Sequence, residues 1–149
     1  MHIGFYLPTL GSSEFNIKLF NKLNEIVDSQ EYDDVCVFYD DLNYNPINPK
    51  FGVFNSSELW SFTGVLFISS FDMIPQVKST INKFKSVVLY DGTKNLLDIL
   101  SGIQEFEVVT QNEEDYGYIK RVTGKETHLM KDFNFTEFLG LAKWNKHRN

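Results

Sequence analysis

The residues best placed for chemistry lie near the start of the chain, in a turn made by Pro8, Gly11, Ser12 and Ser13. An apolar run stops at Pro8, and Ser12, Ser13 and Glu14 each favour a helix N-terminus. A strand, a turn and a helix in this order place backbone N–H groups at the carboxyl edge of a parallel sheet, where ligands usually bind. Such a turn suits a phosphate, a carboxylate or a sugar hydroxyl. An ordinary helix cap has the same residues, so both interpretations stay open.

A second candidate group consists of aspartates that follow predicted strands: Asp40, Asp41, Asp72 and Asp91. Carboxylates gathered at one sheet edge can hold Mg²⁺ or act as acid and base. A phosphoacceptor receiver domain needs paired acids after the first strand and a lysine after the fifth. This chain has Leu7-Pro8-Thr9 and Gln111-Asn112 there. Solvated turns and helix caps explain the aspartates more simply, so we predict no metal site.

Other motifs for catalysis or cofactor binding are missing from the sequence. His2, His128 and His147 lack the spacing of metal ligands, and Cys36 is the single cysteine. The hydrolase elbow Gly-x-Ser-x-Gly, the dinucleotide fingerprint Gly-x-Gly-x-x-Gly and the phosphate loop ending in Gly-Lys-Ser/Thr do not occur. We therefore expect no cofactor and assign no catalytic residue.

Composition limits the class of protein and its partners. A length of 149 residues with 42% hydrophobic content suits one packed domain. Twenty acidic and 14 basic side chains give a net charge of −6, so no overall field attracts nucleic acid or an anionic membrane. No stretch approaches the roughly 18 apolar residues of a membrane span. Because the lone Cys36 also fits a reducing compartment, we predict a cytoplasmic protein that binds neither nucleic acid nor membrane.

Hydrophobic periodicity predicts alternating strands and helices along most of the chain. From Leu19 to Val27, apolar residues recur at three- and four-residue steps, as on one face of a helix. The run from Val35 to Tyr39 is continuously apolar, which is typical of a strand buried on both faces. The same alternation continues to residue 110 and predicts five βα units with right-handed parallel crossovers.

The last 40 residues depart from this alternation. Segments 116–122 and 126–130 flank Thr123-Gly124-Lys125, which predicts a β-hairpin, and Thr136 can cap a final helix. We therefore expect a single three-layer, Rossmann-like α/β domain over residues 1–149. It has about five parallel strands with helices on both faces, followed by a C-terminal β-hairpin and helix.

A long loop from Asp40 to Asn55 has two prolines, several asparagines and no hydrophobic period. Long loops in compact domains are often functional. Aromatic residues commonly anchor protein interfaces when they are exposed. This loop and the terminal helix are rich in aromatic residues. The candidate interface residues are Tyr44, Phe51, Phe54 and Trp144.

The order of these segments also matches a known pattern. The stretch 3–14 reads Ile-Gly-Phe-Tyr-Leu-Pro-Thr-Leu-Gly-Ser-Ser-Glu and is followed by Leu19, Phe20 and Leu23. A valine-rich strand then comes at 34–38, and Val-Val-Leu-Tyr-Asp-Gly-Thr stands at 87–93. Over about residues 1–110 the chain resembles the N-terminal Rossmann-like domain of GT-B glycosyltransferases. There, a strand ending near proline leads into a glycine-rich loop, a glutamate and a leucine-rich helix.

The resemblance implies a site and limits its activity. GT-B enzymes react in a cleft between two Rossmann-like domains, of which the first handles the acceptor and the second holds the nucleotide sugar. By resemblance, a sugar or nucleotide-sugar ligand contacts Pro8, Gly11, Ser12, Ser13 and Asp91. The usual Gly-Gly pair is Gly11-Ser12 here, and the donor-binding domain is missing. The resemblance thus implies a stand-alone domain without complete transferase activity, which binds a ligand or a protein at the carboxyl edge. Transfer would need a second domain or a partner chain.

The alternative is an interaction protein without small-molecule chemistry. The abundance of Asn, Lys, Phe and Ile suits an A+T-rich genome, such as that of a bacteriophage. A small phage protein in the cytoplasm of its host would bind a host protein or join an assembly, a homo-oligomer included. The aromatic residues of the long loop and the terminal helix would form its interface.

Overall fold

The structure is a computed structural model that describes residues 2–80 and 85–146, with side chains to residue 143. Its strands are β1 (His2–Thr9), β2 (Asp34–Asp41), β3 (Gly52–Asn55), β4 (Val65–Ile68), β5 (Lys85–Leu89), β6 (Glu107–Thr110) and β7 (His128–Leu129). Its α-helices are α1 (Glu14–Ser29), α2 (Ile74–Lys78), α3 (Leu96–Glu105), α4 (Glu113–Thr123) and α5 (Phe135–Lys146). Two 3-10 helices cover Ser56–Ser61 and Phe71–Met73.

The strands form one parallel sheet in the order β3-β2-β1-β4-β5-β6-β7, and helices flank it. The predicted Rossmann-like α/β class is therefore confirmed, with seven strands in place of about five. The additional strands β3 and β7 have four and two residues and lie at the two edges of the sheet. β7 lies inside the predicted strand segment 126–130 but pairs in parallel with β6, whereas the four residues of β3 carry too little alternation for a firm strand prediction.

Backbone contacts divide the chain into two compact units. Within the described residues, unit 1 holds 2–67 and 80, and unit 2 holds 68–79 and 85–146. Unit 1 thus contains β1, β2, β3, α1 and most of β4, whereas unit 2 contains β5 to β7 and α2 to α5.

The core of unit 1 is built around β1. Residues 3–7 of this strand are all buried, because α1 packs on one face of the sheet and other side chains cover the second face. On the first face the Phe5 ring lies 6.1 Å from the Phe67 ring and 6.2 Å from the Phe15 ring of α1. Parallel pairing runs along β1 and β2 from His2 opposite Asp34 to Thr9 opposite Asp41, so both strands end together at the carboxyl edge.

On the second face of unit 1, the 3-10 helix Ser56–Ser61 takes the place where a longer helix would pack in a doubly wound sheet. Its Leu59 is buried, and the following Phe62 stands edge-on to Phe38 with 5.5 Å between ring centroids. Phe62 also reaches Gly4 of β1, where a Cβ would lie 3.0 Å from its ring. Leu59 and Phe62 thus cover this face of the sheet at Gly4 and Phe38, which are both buried.

Unit 2 is organised by the turns that follow β4 and β5. Phe71 and Tyr90 meet edge-on, with ring centroids 5.2 Å apart. Gly102 of α3 lets this helix approach them, since a Cβ there would lie 2.9 Å from Ile74 and 3.1 Å from Phe71. Asn95 caps α3 by accepting from the N–H groups of the first turn. The close approach of α3 therefore depends on a residue without a side chain.

The predicted β-hairpin at 116–130 is wrong, because residues 113–123 form α4. Asn112 caps this helix by accepting from Asp115, acidic residues fill its first turn, and Lys120 and Arg121 stand in its last turn. Gly124 ends it in the left-handed conformation at φ 75°. The β-forming residues Tyr, Ile, Val and Thr suggested strands, but the helix signals at both ends prevail. After Gly124, His128–Leu129 form β7, which pairs in parallel with β6.

The predicted C-terminal helix is confirmed as α5, and its cap is Asn134 instead of Thr136. The Asn134 Oδ1 accepts from the backbone N–H groups of Thr136 and Glu137, at 2.7 and 3.2 Å. Within residues 2–80 and 85–146, none of the helices combines the length and the apolar character that a membrane span requires.

His128 on β7 predicts a pH dependence of stability. Burial lowers its pKa from 6.5, although the Glu107 carboxylate lies 3.2 Å from its Nε2. An unfolded chain therefore binds this proton more readily than the native state, so the stability is present above about pH 6.5 and is lost as the pH falls through the lowered pKa. Urea unfolding between pH 7.5 and 5.5 checks this. The wild type is expected to lose more stability than His128→Gln, and parallel curves would contradict it.

Candidate functional site

The turn between β1 and α1 is held in place by Asn16, which is 5% exposed. Its Nδ2 donates to the carbonyl oxygens of Thr9 and Gly11, at 2.9 and 2.8 Å. The N–H of Gly11 donates to Thr9 Oγ1 at 3.2 Å, and the N–H of Asn16 donates to Ser13 Oγ at 3.1 Å. A side chain in the first turn of α1 thus fixes the backbone that leads into this helix. The turn is preorganised before any ligand arrives.

The long loop after β2 packs against this turn. The Asn45 Nδ2 donates to the carbonyl oxygen of Leu10 at 3.2 Å. The N–H of Leu10 in turn donates to the carbonyl oxygen of Asp41, also at 3.2 Å. The amide of Asn43 lies 3.4 Å from the position that a Cβ on Gly11 would take. Gly11 is buried as a result. Asn43 of the same chain therefore occupies the space beside Gly11, at van der Waals distance from such a Cβ.

The polar groups that this packing leaves at the surface are hydroxyls and an amide. Ser12 and Ser13 are exposed, and so is Pro8 at the end of β1. Glu14 begins α1 and forms an ion pair with Lys18 at 2.9 Å, and the Lys18 hydrogen bond lowers the pKa of Glu14. Its carboxylate complements the positive end of the helix dipole. The Glu14 carboxylate would repel a second anion at this end of the helix, so the turn suits a neutral hydroxyl better than a phosphate.

Tyr44 follows Asn43 in the loop and is 75% exposed. Its N–H donates to Asn43 Oδ1 at 2.8 Å, which ties the backbone at Tyr44 to the amide that contacts Gly11. The loop that carries Tyr44 therefore packs on the predicted ligand turn through Asn43 and Asn45. An exposed aromatic ring together with hydroxyl and amide groups can hold an amphipathic ring such as a sugar.

The predicted aspartates are divided between the two units. Asp40 and Asp41 belong to unit 1, and Asp40 accepts from the Tyr6 hydroxyl at 2.6 Å. Asp72 and Asp91 belong to unit 2. In the part of the chain that the structure describes, no three His, Cys, Asp or Glu side chains are grouped in a way that could hold a metal ion.

The Asp91 side chain stabilises the turn after β5 through hydrogen bonds. Its Oδ2 accepts from the N–H of Phe71 and from Ser70 Oγ, both at 3.2 Å, and its Oδ1 accepts from the N–H of Thr93 at 3.1 Å. Ser70 Oγ is also hydrogen bonded to Asp72. These bonds join the turn after β4 to the turn after β5. A ligand role for Asp91, implied by the resemblance, would have to be added to this one and stays a prediction.

The predicted interface residues have different surroundings. Phe51 is only 8% exposed and meets Phe20 edge-on at 5.1 Å, so it packs in the core of unit 1 and its interface role stays a prediction. The sequence could not show that α1 covers it. Phe54 is 46% exposed, as an interface residue requires. The side chain of Trp144 lies outside the described residues.

Sequence reasoning missed Trp60, which is 61% exposed. It lies on the 3-10 helix Ser56–Ser61 between the buried Leu59 and the buried Phe62. A 3-10 helix has three residues per turn, so Leu59 and Phe62 share one face and Trp60 points away from it. This spacing was the one available signal, but a tryptophan in an apolar segment is ordinarily expected in the core.

Two further features lie away from the predicted turn. A cleft of about 500 Å³ stands at the amino ends of β2 and β3, where Tyr32, Asp33, Asp34 and Lys50 are among its lining residues. Cys36 is buried in β2, and burial raises its pKa to about 12. Since the thiolate is the reactive form, Cys36 is no candidate nucleophile.

Comparison of the chain with protein-family models, curated proteins and solved structures gave no match. What is shown is therefore the α/β fold, which hosts many unrelated functions. Function has to be inferred from the residues of the site.

Proposed function

We propose that this chain is a sugar-binding domain, similar to the acceptor half of a GT-B glycosyltransferase and without complete transferase activity. The observation that carries this proposal is the packing of the loop with the exposed Tyr44 on the turn at 11–13. Asn43 of this loop contacts Gly11, and Asn45 donates to the carbonyl oxygen of Leu10 at 3.2 Å. Hydroxyl and amide groups can donate to and accept from sugar hydroxyls, and an exposed ring can stack on the apolar face of a sugar.

The charge at the turn favours a neutral sugar over a phosphate. The carboxylate of Glu14 stands in the first turn of α1, which would otherwise attract anions. Lys18 pairs with it, so no net positive charge is left for a phosphate at this end of the helix. The sugar part of a nucleotide sugar would thus be recognised at this turn, and its diphosphate would need another site.

The same packing argues against a complete transferase. The space next to Gly11, which a donor or acceptor could approach closely, holds Asn43. Asp40, a carboxylate at the end of β2, is already hydrogen bonded to Tyr6. Transfer also needs groups that bind the nucleotide and stabilise the leaving diphosphate. A second domain or a partner chain would supply them.

The proposal predicts that a neutral sugar raises the melting temperature. Glucose, galactose, mannose, N-acetylglucosamine, UDP-glucose and UDP are the probes, each measured by thermal shift and calorimetry. A sugar at about 100 times its Kd is expected to raise Tm by about 5–10 °C. Tyr44→Ala is expected to abolish the shift and Ser12→Ala to reduce it. Ser57→Ala, at another exposed serine, serves as the control.

Three outcomes contradict the proposal. They are no shift from any sugar, an equal shift in Tyr44→Ala and the wild type, and a shift from UDP that UDP-glucose does not exceed. Incubation with UDP-glucose and each sugar tests the second part of the proposal. We expect no sugar transfer by the chain alone, and a turnover of the donor would show that the transferase is complete.

The second candidate function is protein interaction, and the exposure of Phe54 and Trp60 favours it. Large exposed aromatic residues are enriched among residues that dominate binding energy. Chemical cross-linking in a lysate of the natural host tests it. A partner that the wild type retains and Trp60→Ala loses would support this function, whereas equal retention by both would contradict it.

A further inference from the structure

Charge is unevenly distributed in this chain. Residues 23–67 hold eight of its 20 acidic side chains but one of its 14 basic side chains, Lys50. The Nζ of Lys50 lies 2.7 Å from Asp28 Oδ2, so this cation is already engaged. Outside residues 23–67 acidic and basic side chains nearly balance. The acidic character of the protein is therefore concentrated in unit 1.

Part of this acidic segment coincides with exposed aromatic side chains. Phe54 of β3 is 46% exposed and rests on Phe38 of β2, with 5.9 Å between ring centroids. The 3-10 helix Ser56–Ser61 contacts both strands and carries the exposed Trp60 and Glu58. Asp40 lies two residues after Phe38 on β2 and therefore on the same face of the sheet. We call these four residues, Asp40, Phe54, Glu58 and Trp60, the aromatic–acidic surface.

The two carboxylates of this surface form no ion pair within the described part of the chain. In residues 2–80 and 85–143, no basic side chain forms an ion pair with Asp40 or Glu58. Asp40 is held by the hydroxyl of Tyr6, which is fully buried, and this bond fixes the position of the carboxylate. A fixed carboxylate loses little side-chain entropy when it pairs with a cation.

We propose that the aromatic–acidic surface binds a cationic peptide segment of a partner protein. An arginine or lysine of that segment packs on the Trp60 ring, and its charge faces Asp40 and Glu58. A cation over the face of tryptophan is attracted by the ring quadrupole, and nearby carboxylates add to this attraction. This inference rests on protein interaction as the second candidate function and names the chemistry of the partner.

Other occupants fit this surface less well. Nucleic acid and anionic membranes carry the same sign of charge as Asp40 and Glu58. A second copy that used the same surface in a two-fold dimer would place these carboxylates opposite each other. A cationic segment is the occupant that would be attracted both by the exposed aromatic rings and by the carboxylates of this surface.

Fluorescence anisotropy with two labelled peptides tests the inference. The first probe is a dodecapeptide of alternating arginine and leucine, and the second has glutamate in place of each arginine. We expect the full-length protein to bind the arginine peptide at least 10-fold more tightly than the glutamate peptide in 50 mM NaCl. Because the attraction is partly ionic, the affinity is expected to fall as salt rises to 300 mM.

Two variants assign the binding to this surface. Trp60→Ala removes the ring, and Asp40→Asn with Glu58→Gln removes both charges while Asn still accepts from Tyr6. Each is expected to weaken the arginine peptide at least 10-fold. The matched control is Glu114→Gln with Glu137→Gln, which removes two exposed charges from unit 2 and is expected to change the affinity less than 2-fold. Circular dichroism melting checks that every variant is folded.

Each remaining outcome overturns the inference. Equal binding of both peptides, no binding of either, or an equal loss in the Glu114/Glu137 control would show that the surface does not select cations. A dimer that Trp60→Ala dissociates would show that a second copy covers the surface. If cross-linking still finds a Trp60-dependent partner without this charge preference, protein interaction stands and the cationic partner does not.

Discussion

The Gly64→Ala variant is expected to unfold with a free energy about 3–5 kcal/mol below that of the wild type. Gly64 stands directly before β4 with φ at +135°, a conformation that residues with a Cβ rarely adopt. A Cβ at this position would lie 2.3 Å from the carbonyl oxygen of His2 and 3.0 Å from its carbonyl carbon. The obstacle is backbone of β1, which cannot turn away as a side chain can. Urea unfolding followed by circular dichroism measures the loss.

Gly117→Ala is the matched control, because it makes the same change where neither obstacle exists. Gly117 lies inside α4, and nothing stands within 4 Å of the position of its Cβ. Alanine there is expected to stabilise the protein by about 0.5–1 kcal/mol. The two substitutions thus have opposite signs. Wild-type stability of Gly64→Ala would show that the chain enters β4 by a different backbone path.

Asn16→Leu is expected to cost about 2–4 kcal/mol and to lower Tm by about 5–12 °C. Leucine has the same number and branching of side-chain heavy atoms as asparagine and favours helices, so we expect most of the loss from the missing hydrogen bonds. The carbonyl oxygens of Thr9 and Gly11 both accept from the Asn16 side chain, and without it they lose these donors at a largely buried site. Differential scanning calorimetry measures the change.

Asn21→Leu, at an exposed position of the same helix, controls for the change in helix propensity. It is expected to alter stability by less than about 0.5 kcal/mol. Asn16→Leu is also expected to weaken any sugar bound at residues 11–13, because the turn is no longer preorganised. If Asn16→Leu were as stable as Asn21→Leu, the two carbonyl groups would have other donors and Asn16 would not hold the turn.

The part of the fold that follows from local patterns was predictable. The apolar period from Leu19 to Val27 gave α1, and the apolar run 35–39 gave β2. The failure at residues 116–122 has a local cause: Tyr, Ile, Val and Thr favour strands, while the signals for a helix lie outside that stretch, at Asn112 and Gly124. Reading the caps before the propensities would have found α4.

The site was predictable only where one segment makes it. The turn at 11–13 follows from its position between a strand and a helix cap. The contact between Asn43 and Gly11 depends on how a loop 32 residues further along the chain folds back, and no local pattern contains that information. Burial of Phe51 and exposure of Trp60 have the same origin, since each depends on what packs against it in three dimensions.

The rate at which the buried Cys36 thiol is alkylated can report local opening of the native protein. The thiol sits in β2 between β1 and β3, 3.8 Å from the carbonyl oxygen of Ile3. Its pKa of about 12 keeps it protonated at neutral pH, and only 4% of the residue is exposed to an alkylating reagent. Modification by iodoacetamide therefore proceeds from molecules in which the packing around β2 has opened. The labelling rate of the native chain measures how often this part of unit 1 opens, without any engineered probe.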